Sequence, residues 1–389
     1  MRFPKQEFKV RVENVRKAMS ARRLELLVVF SSPGSMRFGQ RGHVLYLSGY
    51  EPYFGNTMLI FPQEDRAETL LQIDEARHFP GDCTWVSEVR NPQDPVKTIK
   101  EYLAKNGGRK ARLGIAGDYS IRPMLLDRIR RELGDSRISL ASDILEDARA
   151  VKSDFEIGCI RKACAIARKG FEAAVDFASP GVHDYEIISE IERTCRMAGS
   201  EFFPHYTMFS SGNDTRYLEL WWRCGKRRLR KKDTMLADFG TMYGSYCCDM
   251  ARSFSMGPAS DKHRAAYEVI VEAEKAAQKA ARPGARASDV DRAAADVMKE
   301  FKGLITTGDV TDIGHGVGLE VHEWPFMGYH HIRNDLVYKD RELKENMVIS
   351  IEPQIYHPEL GLVQIEDQFA VRGGGGAMLT DLPREILEC

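Results

Sequence analysis

The chain has 389 residues, 43% hydrophobic and 29% charged, with a formal net charge of -1. That length accommodates two or three domains, and that composition is ordinary for a globular core. The near-zero charge gives no global field for nucleic acid. No run approaches the roughly 18 apolar residues of a membrane span, and the N-terminus has no apolar signal core, so the chain is expected to be cytoplasmic, with neither nucleic acid nor membrane as partner.

Periodicity predicts a helix over 5–22. The apolar runs LELLVVF, NTMLIFP and ETLLQI follow, then helix-like PVKTIKEYLAK, RLGIAG, helix-like MLLDRIRREL and RISLAS. Strands alternating with helices indicate an α/β layer domain over 1–150, without a dinucleotide fingerprint or P-loop string. The Gly- and Tyr-rich region 33–55 reads either as a loop facing an active site or as an ordinary connection. Over 151–389, helix, Pro-Gly break, helix and acid-bearing strand hairpin occur twice, a pseudo-repeat of about 100 residues. Two related halves closing on one site would give an α+β domain with pseudo-twofold symmetry. The run KRRLRKK at 226–232 reads as a solvated turn, with a patch for an acidic substrate as the alternative. None of the eight cysteines forms a CxxC pair, which suits free thiols in a reducing compartment.

Five residues carry chemistry: Asp238 in MLADF, Asp249 in YCCDMARSF, His315 in the loop GHGVG, Glu352 in VISIEPQIY and Glu366 in LVQIED. An isolated acid on a half-buried strand needs its charge compensated. Asp238 and Asp249 are symmetric about a turn at Tyr243-Gly244, so a simple hairpin has them face each other. Glu352 and Glu366 are symmetric about Glu359 in the same way. Like charges directly opposite on a sheet are destabilising. Two such pairs converging call for cations, and a pair of divalent metals bridged by carboxylates would activate a water for attack. An oxygen-rich shell with one imidazole suits Mn, Co, Zn or Fe.

The strings LADFGTMYGSYCCDMARSF, GHGVGLEVHEWP, ENMVISIEPQIY and GLVQIEDQ resemble the ligand segments of the M24 superfamily of methionine aminopeptidase, aminopeptidase P, prolidase and creatinase. MLTDLPREI resembles its closing turn. The resemblance covers essentially the whole chain. It implies a creatinase-like α/β N-terminal domain and a pita-bread catalytic domain. It further implies two divalent metal ions per subunit, held by Asp238, Asp249, His315, Glu352 and Glu366, with manganese among the candidates. Glu352 would take a proton from the attacking water, and His322 in VHEWP would donate to the substrate carbonyl or oxyanion. A homodimer is implied as well, with the loop around Tyr53 and Phe54 reaching a neighbour's site. His330 and His331 read as rim residues, His331 as a candidate substrate contact.

Two departures from the family pattern bear on substrate. Members of that superfamily carry a histidine upstream of the first aspartate strand, where this chain has SSGNDTRYLELWWRCG; a residue in the Tyr217–Trp221 neighbourhood stands in its place, and His205 could occupy nearby space from a different backbone position. Relatives also carry arginine where this chain has Gln364, and glutamine supplies no charge for a carboxylate. The leading reading is a metal-dependent hydrolase of a C–N bond, an Xaa-Pro dipeptidase or aminopeptidase acting on a dipeptide. The alternative is a non-peptidase small-amide hydrolase resembling ectoine hydrolase. A lyase of the dimethylsulfoniopropionate-cleaving type is disfavoured because Leu236 stands where that branch has an extra aspartate. Both departures predict weak turnover of proline dipeptides.

Overall fold

The structure is a computed structural model. It describes residues 3–33, 41–53, 55, 57–65, 68–73, 83–106, 108, 110–217, 225–299, 313–328, 340–357 and 359–389. The chain divides into two compact units, Met1–Arg149 and Ala150–Cys389.

In the first unit the strands are β1 (Leu26–Ser31), β2 (Thr57–Pro62), β3 (Leu70–Gln72), β4 (Glu88–Arg90), β5 (Leu113–Ala116) and β6 (Ile138–Leu140). They lie side by side in the order β4-β3-β2-β1-β5-β6. The central strands β1 and β2 are buried along their whole length, which is why they read as unbroken apolar runs. Helices Pro95–Lys105 and Pro123–Leu133 each open with proline, whose missing N–H costs nothing at a helix start. Their Val96, Ile99, Leu103, Ile129 and Leu133 pack onto Val28, Ile60, Leu113 and Ile115 of the sheet. Within the expected loop 33–55 the structure has a helix, Gly42–Ser48, closed by Gly49 in the left-handed conformation. Residues 34–40 and Phe54 lie outside the described residues. Strand β4, with only half-buried side chains in EVR, had no apolar signature to announce it.

The second unit opens with helix Asp154–Phe177, started by a capping box between Ser153 and Glu156, and helix Asp184–Met197. Then come β7 (Met208–Ser211), β8 (Thr234–Tyr243) and β9 (Tyr246–Ser255). A second helix pair, Asp261–Ala280 and Ala287–Lys299, precedes β10 (Gly314–Gly316), β11 (Glu323–Met327), β12 (Val348–Ile351), β13 (Gln354–His357), β14 (Gly361–Arg372), β15 (Gly375–Met378) and β16 (Leu387–Glu388). The expected doubling of helix pair and acid-bearing hairpin is present. The strands form a sheet with the path β11-β10-β12-β14-β9-β8-β7, with β13 and β15 paired to β14 and β16 to β9.

Alternation along these strands separates the two faces. Phe254 packs edge-on to Phe171 of helix Asp154–Phe177, and Val363 and Ile365 pack with Ala266, Val269 and Ile270 of helix Asp261–Ala280. The strand residues between these, Asp238, Gly240, Asp249, Ala251 and Glu366, share the other face. The basic run forms a turn in which Arg227 grips Asp233 through both nitrogens, at 2.5 and 2.8 Å. The described cysteines are free.

Candidate metal centre

The β8–β9 hairpin does not place its acids directly opposite. Asp238 pairs with Ala251, and Asp249 pairs with Gly240. The expected turn was one residue too early. Its central pair is Gly244 and Ser245, both with positive φ (58° and 68°), as a tight two-residue hairpin requires. Glu201 accepts from both backbone nitrogens of that turn, at 3.0 and 2.8 Å, which helps hold a serine in a conformation that favours glycine. The two aspartates are therefore diagonal neighbours on one face. Ala251 also pairs with Glu366 of β14, so its small side chain lies in one row between Asp238 and Glu366.

The glutamate pair follows expectation. Ile351 pairs with Asp367 and Gln354 with Gln364, and the same register carried through Glu352 puts it opposite Glu366. His315 is not in a loop: it is the middle residue of β10, paired with Ser350. Two glycines make that strand possible. A Cβ at Gly314 would lie 2.0 Å from the Ser350 carbonyl oxygen, and one at Gly316 would lie 2.4 Å from that of Trp324.

Strands β8, β9, β10 and β14, with Glu352 in the link between β12 and β13, thus deliver the side chains to one place. His315 Nε2 lies 3.4 Å from Glu352 Oε1, 3.7 Å from Asp249 Oδ2 and 3.9 Å from Glu366 Oε1. Its Nδ1 lies 3.1 Å from the Gly316 carbonyl oxygen, which fixes the ring. The His322 ring stacks obliquely on His315, centroids 4.0 Å apart. Donor atoms within 4.8 Å of one another form three groups: Asp249, His315 and His322; His205, Asp238 and Asp249; and His315, Glu352 and Glu366. Apolar Met208, Leu236, Ala251 and Leu362 form a small buried cluster beside them.

This donor set fits divalent cations. Two carboxylates about 4 Å apart repel by roughly 4 kcal/mol at an effective dielectric near 20. Burial, together with the charges of Asp249, Glu352 and Asp238, pushes the Glu366 carboxyl well above the ordinary range, against the hydroxyl of Ser350 that donates to it at 2.5 Å. Cations among the acids relieve that penalty, and carboxylate oxygens with imidazole nitrogen are the ligands borderline divalent ions take.

Asp238, Asp249, His315, Glu352 and Glu366 come together as the sequence predicts. Gln364 is buried and donates to Glu352 Oε2 at 3.3 Å, so it touches the cluster through an acid. His205 is buried too, with Nε2 2.9 Å from Asp249 Oδ1. Tyr217 is exposed at the end of the short helical turn Gly212–Arg216, and Tyr53 is exposed on the first unit. His331, His330 and the residues 218–224 lie outside the described residues. Sequence reasoning missed Ser350, although its two-residue offset from Glu352 on a strand is the signal that would have found it.

The model of "Metallopeptidase family M24" matches residues 158–373, and that of "Creatinase/Prolidase N-terminal domain" matches residues 11–151. An Xaa-Pro dipeptidase of Pyrococcus furiosus is 31% identical over 94% of this chain and 99% of its own. A putative dipeptidase of Bacillus subtilis is 29% identical over 89% of this chain and 93% of its own. Among solved structures, the prolidase of Pyrococcus horikoshii OT3 superposes with a TM-score of 0.79 at 25% identity, covering 97% of this chain and 99% of that one. The X-Pro aminopeptidase of Thermotoga maritima does so with a TM-score of 0.80 at 25% identity, again over 97% and 99%. A creatinase-like α/β domain followed by a pita-bread domain, with four acids and an imidazole gathered on one sheet face of the latter, makes this chain a member of metallopeptidase family M24.

Proposed function

We propose that the protein is a metal-dependent amide hydrolase of the Xaa-Pro dipeptidase or aminopeptidase type, working with two divalent ions drawn from Mn, Co, Zn or Fe. The observation that carries this reading is the convergence of Asp238, Asp249, Glu352 and Glu366 with His315, in a chain that matches Xaa-Pro dipeptidases along nearly its full length. Asp238 and Asp249 would hold one ion and His315 and Glu352 the other, with Asp249 and Glu366 shared. When bound, such ions polarise a carbonyl oxygen and lower the pKa of a water.

The remaining chemistry belongs to side chains. Glu352 accepts the proton of the attacking water and returns it to the leaving nitrogen. Gln364 donates to Glu352 Oε2 and so holds one carboxylate oxygen while the other faces His315 at 3.4 Å. His322, beside the His315 ring, donates to the oxygen on which negative charge develops.

A panel of Xaa-Pro dipeptides, matched peptides without proline, and small N-acyl amides tests the reading on manganese- or cobalt-loaded enzyme. Turnover of the proline peptides is expected, below the kcat/KM of about 10⁴ M⁻¹s⁻¹ that marks the lower end for typical enzymes, because Gln364 offers no positive charge to a prolyl carboxylate. No hydrolysis across the whole panel would contradict the reading. Cleavage of the acyl amides alone would favour a non-peptidase amide substrate, the second reading, to which the same uncharged Gln364 points.

A further inference from the structure

One side chain beside the centre has no place in the five-residue set. His205 lies in the irregular stretch before β7, and its side chain is 4% exposed. Gly240 admits it: a Cβ there would meet Pro204 Cγ at 2.6 Å and His205 Nε2 at 3.2 Å. Gly240 is the cross-strand partner of Asp249, so its missing side chain leaves the slot beside that acid to the imidazole.

The hydrogen-bond pattern assigns the ring. Nδ1 lies 2.9 Å from the Tyr206 carbonyl oxygen. A carbonyl can only accept, so Nδ1 carries the proton. Nε2 lies 2.9 Å from Asp249 Oδ1 and 3.9 Å from Asp238 Oδ1. In the neutral ring that nitrogen bears a lone pair, and a lone pair facing a carboxylate oxygen at hydrogen-bond distance needs a positive centre between them, a proton or a metal ion. His315 is arranged in the same manner. Its Nδ1 also meets the carbonyl oxygen of the following residue, and its Nε2 also faces acids. Donation of the outer ring N–H to a backbone carbonyl is the usual support of a metal-bound imidazole.

We propose that His205 is a further metal ligand, bound through Nε2 to the ion held by Asp238 and Asp249. The centre would then have one imidazole for each ion rather than one for the pair. This rests on the dinuclear reading above and adds a protein ligand to it. An imidazole on the aspartate side moves that position's preference away from magnesium and toward zinc, cobalt or iron. It also takes His205 away from the substrate.

X-ray absorption on cobalt- or zinc-loaded protein counts imidazoles, and a competing chelator gives the affinity of each ion. The unaltered protein should bind two ions with an average of one imidazole each. His205→Ala should lose about half of the imidazole signal and weaken one ion tenfold or more, the scale on which support of a metal site is felt. His205→Gln keeps an amide able to donate to Asp249 but is a poor ligand, and it should behave like the alanine variant. An unchanged imidazole count in folded His205→Ala, or metal affinity restored by His205→Gln, would overturn the proposal and make His205 a residue that positions Asp249. Failure of the unaltered protein to bind any metal would instead sink the dinuclear reading itself, and the proposal with it.

Discussion

His322 stands with its ring against His315, yet it belongs to a different part of the chemistry if it donates to the substrate oxygen. His322→Ala should then lower kcat by about 10²–10³ while bound metal stays unchanged, since that is the cost of losing one oxyanion donor. Metal analysis beside steady-state kinetics checks this. A variant that loses metal in proportion to activity would make His322 a ligand. Away from the centre, Asp184 offers a separate test of the electrostatics. Burial raises its pKa from 3.8 to about 6, against the opposing hydrogen bond from Ser211 and the charge of Arg227. The folded state thus holds this proton to higher pH than the unfolded chain does. The stabilising contribution is fully present below 3.8 and is lost as pH rises through about 6. Asp184→Asn does not titrate, so relative to the variant the unaltered protein should lose on the order of 3 kcal/mol over that interval. Urea midpoints at about pH 4 and about pH 7 give the comparison, and parallel pH profiles would contradict it.

The elements show what the sequence could and could not disclose. The glutamate pair was legible because the chain between Glu352 and Glu366 turns about its own middle, with His357 paired to Gly361. The aspartate pair was misread by one register step, because a serine in the left-handed conformation carries no signal of its own. Glu201, which steadies it, lies far away in sequence. The same limit hid His205 beside Asp249: only the pairing of Gly240 with Asp249 shows that a slot exists there. Behind the centre, Arg252 of β9 binds Asp367 of β14 through one nitrogen, at 2.7 and 2.8 Å, and donates to the Glu366 carbonyl at 2.8 Å. Both side chains are almost fully buried. This pair locks the strands that carry Asp249 and Glu366. Arg252→Met leaves Asp367 buried with Arg384 no closer than 3.8 Å, and it should cost about 3–5 kcal/mol in denaturant unfolding. A loss under 1 kcal/mol would show that the pair is dispensable. Arg252→Met with Asp367→Leu should recover much of the loss, because removing both charges removes the desolvation problem.

At the level of the whole molecule, the division into two units and the layered character of each were readable from the alternation of apolar runs with helical periodicity. The extent of the sheet in the second unit was not. Antiparallel pairing joins β14 to β9 across more than a hundred residues of chain, and only the fold reveals it. We expect the chain to work as a homodimer, with Tyr53, 67% exposed on the first unit, meeting the neighbour. Light scattering should give twice the chain mass of 44.1 kDa, and a fully active monomer would contradict it. The four acids and His315 are expected to hold two cations. Elemental analysis of folded protein, loaded with manganese, cobalt or zinc and freed of excess ion, tests it most directly. Two ions per chain are expected. Folded protein that retains none would contradict it.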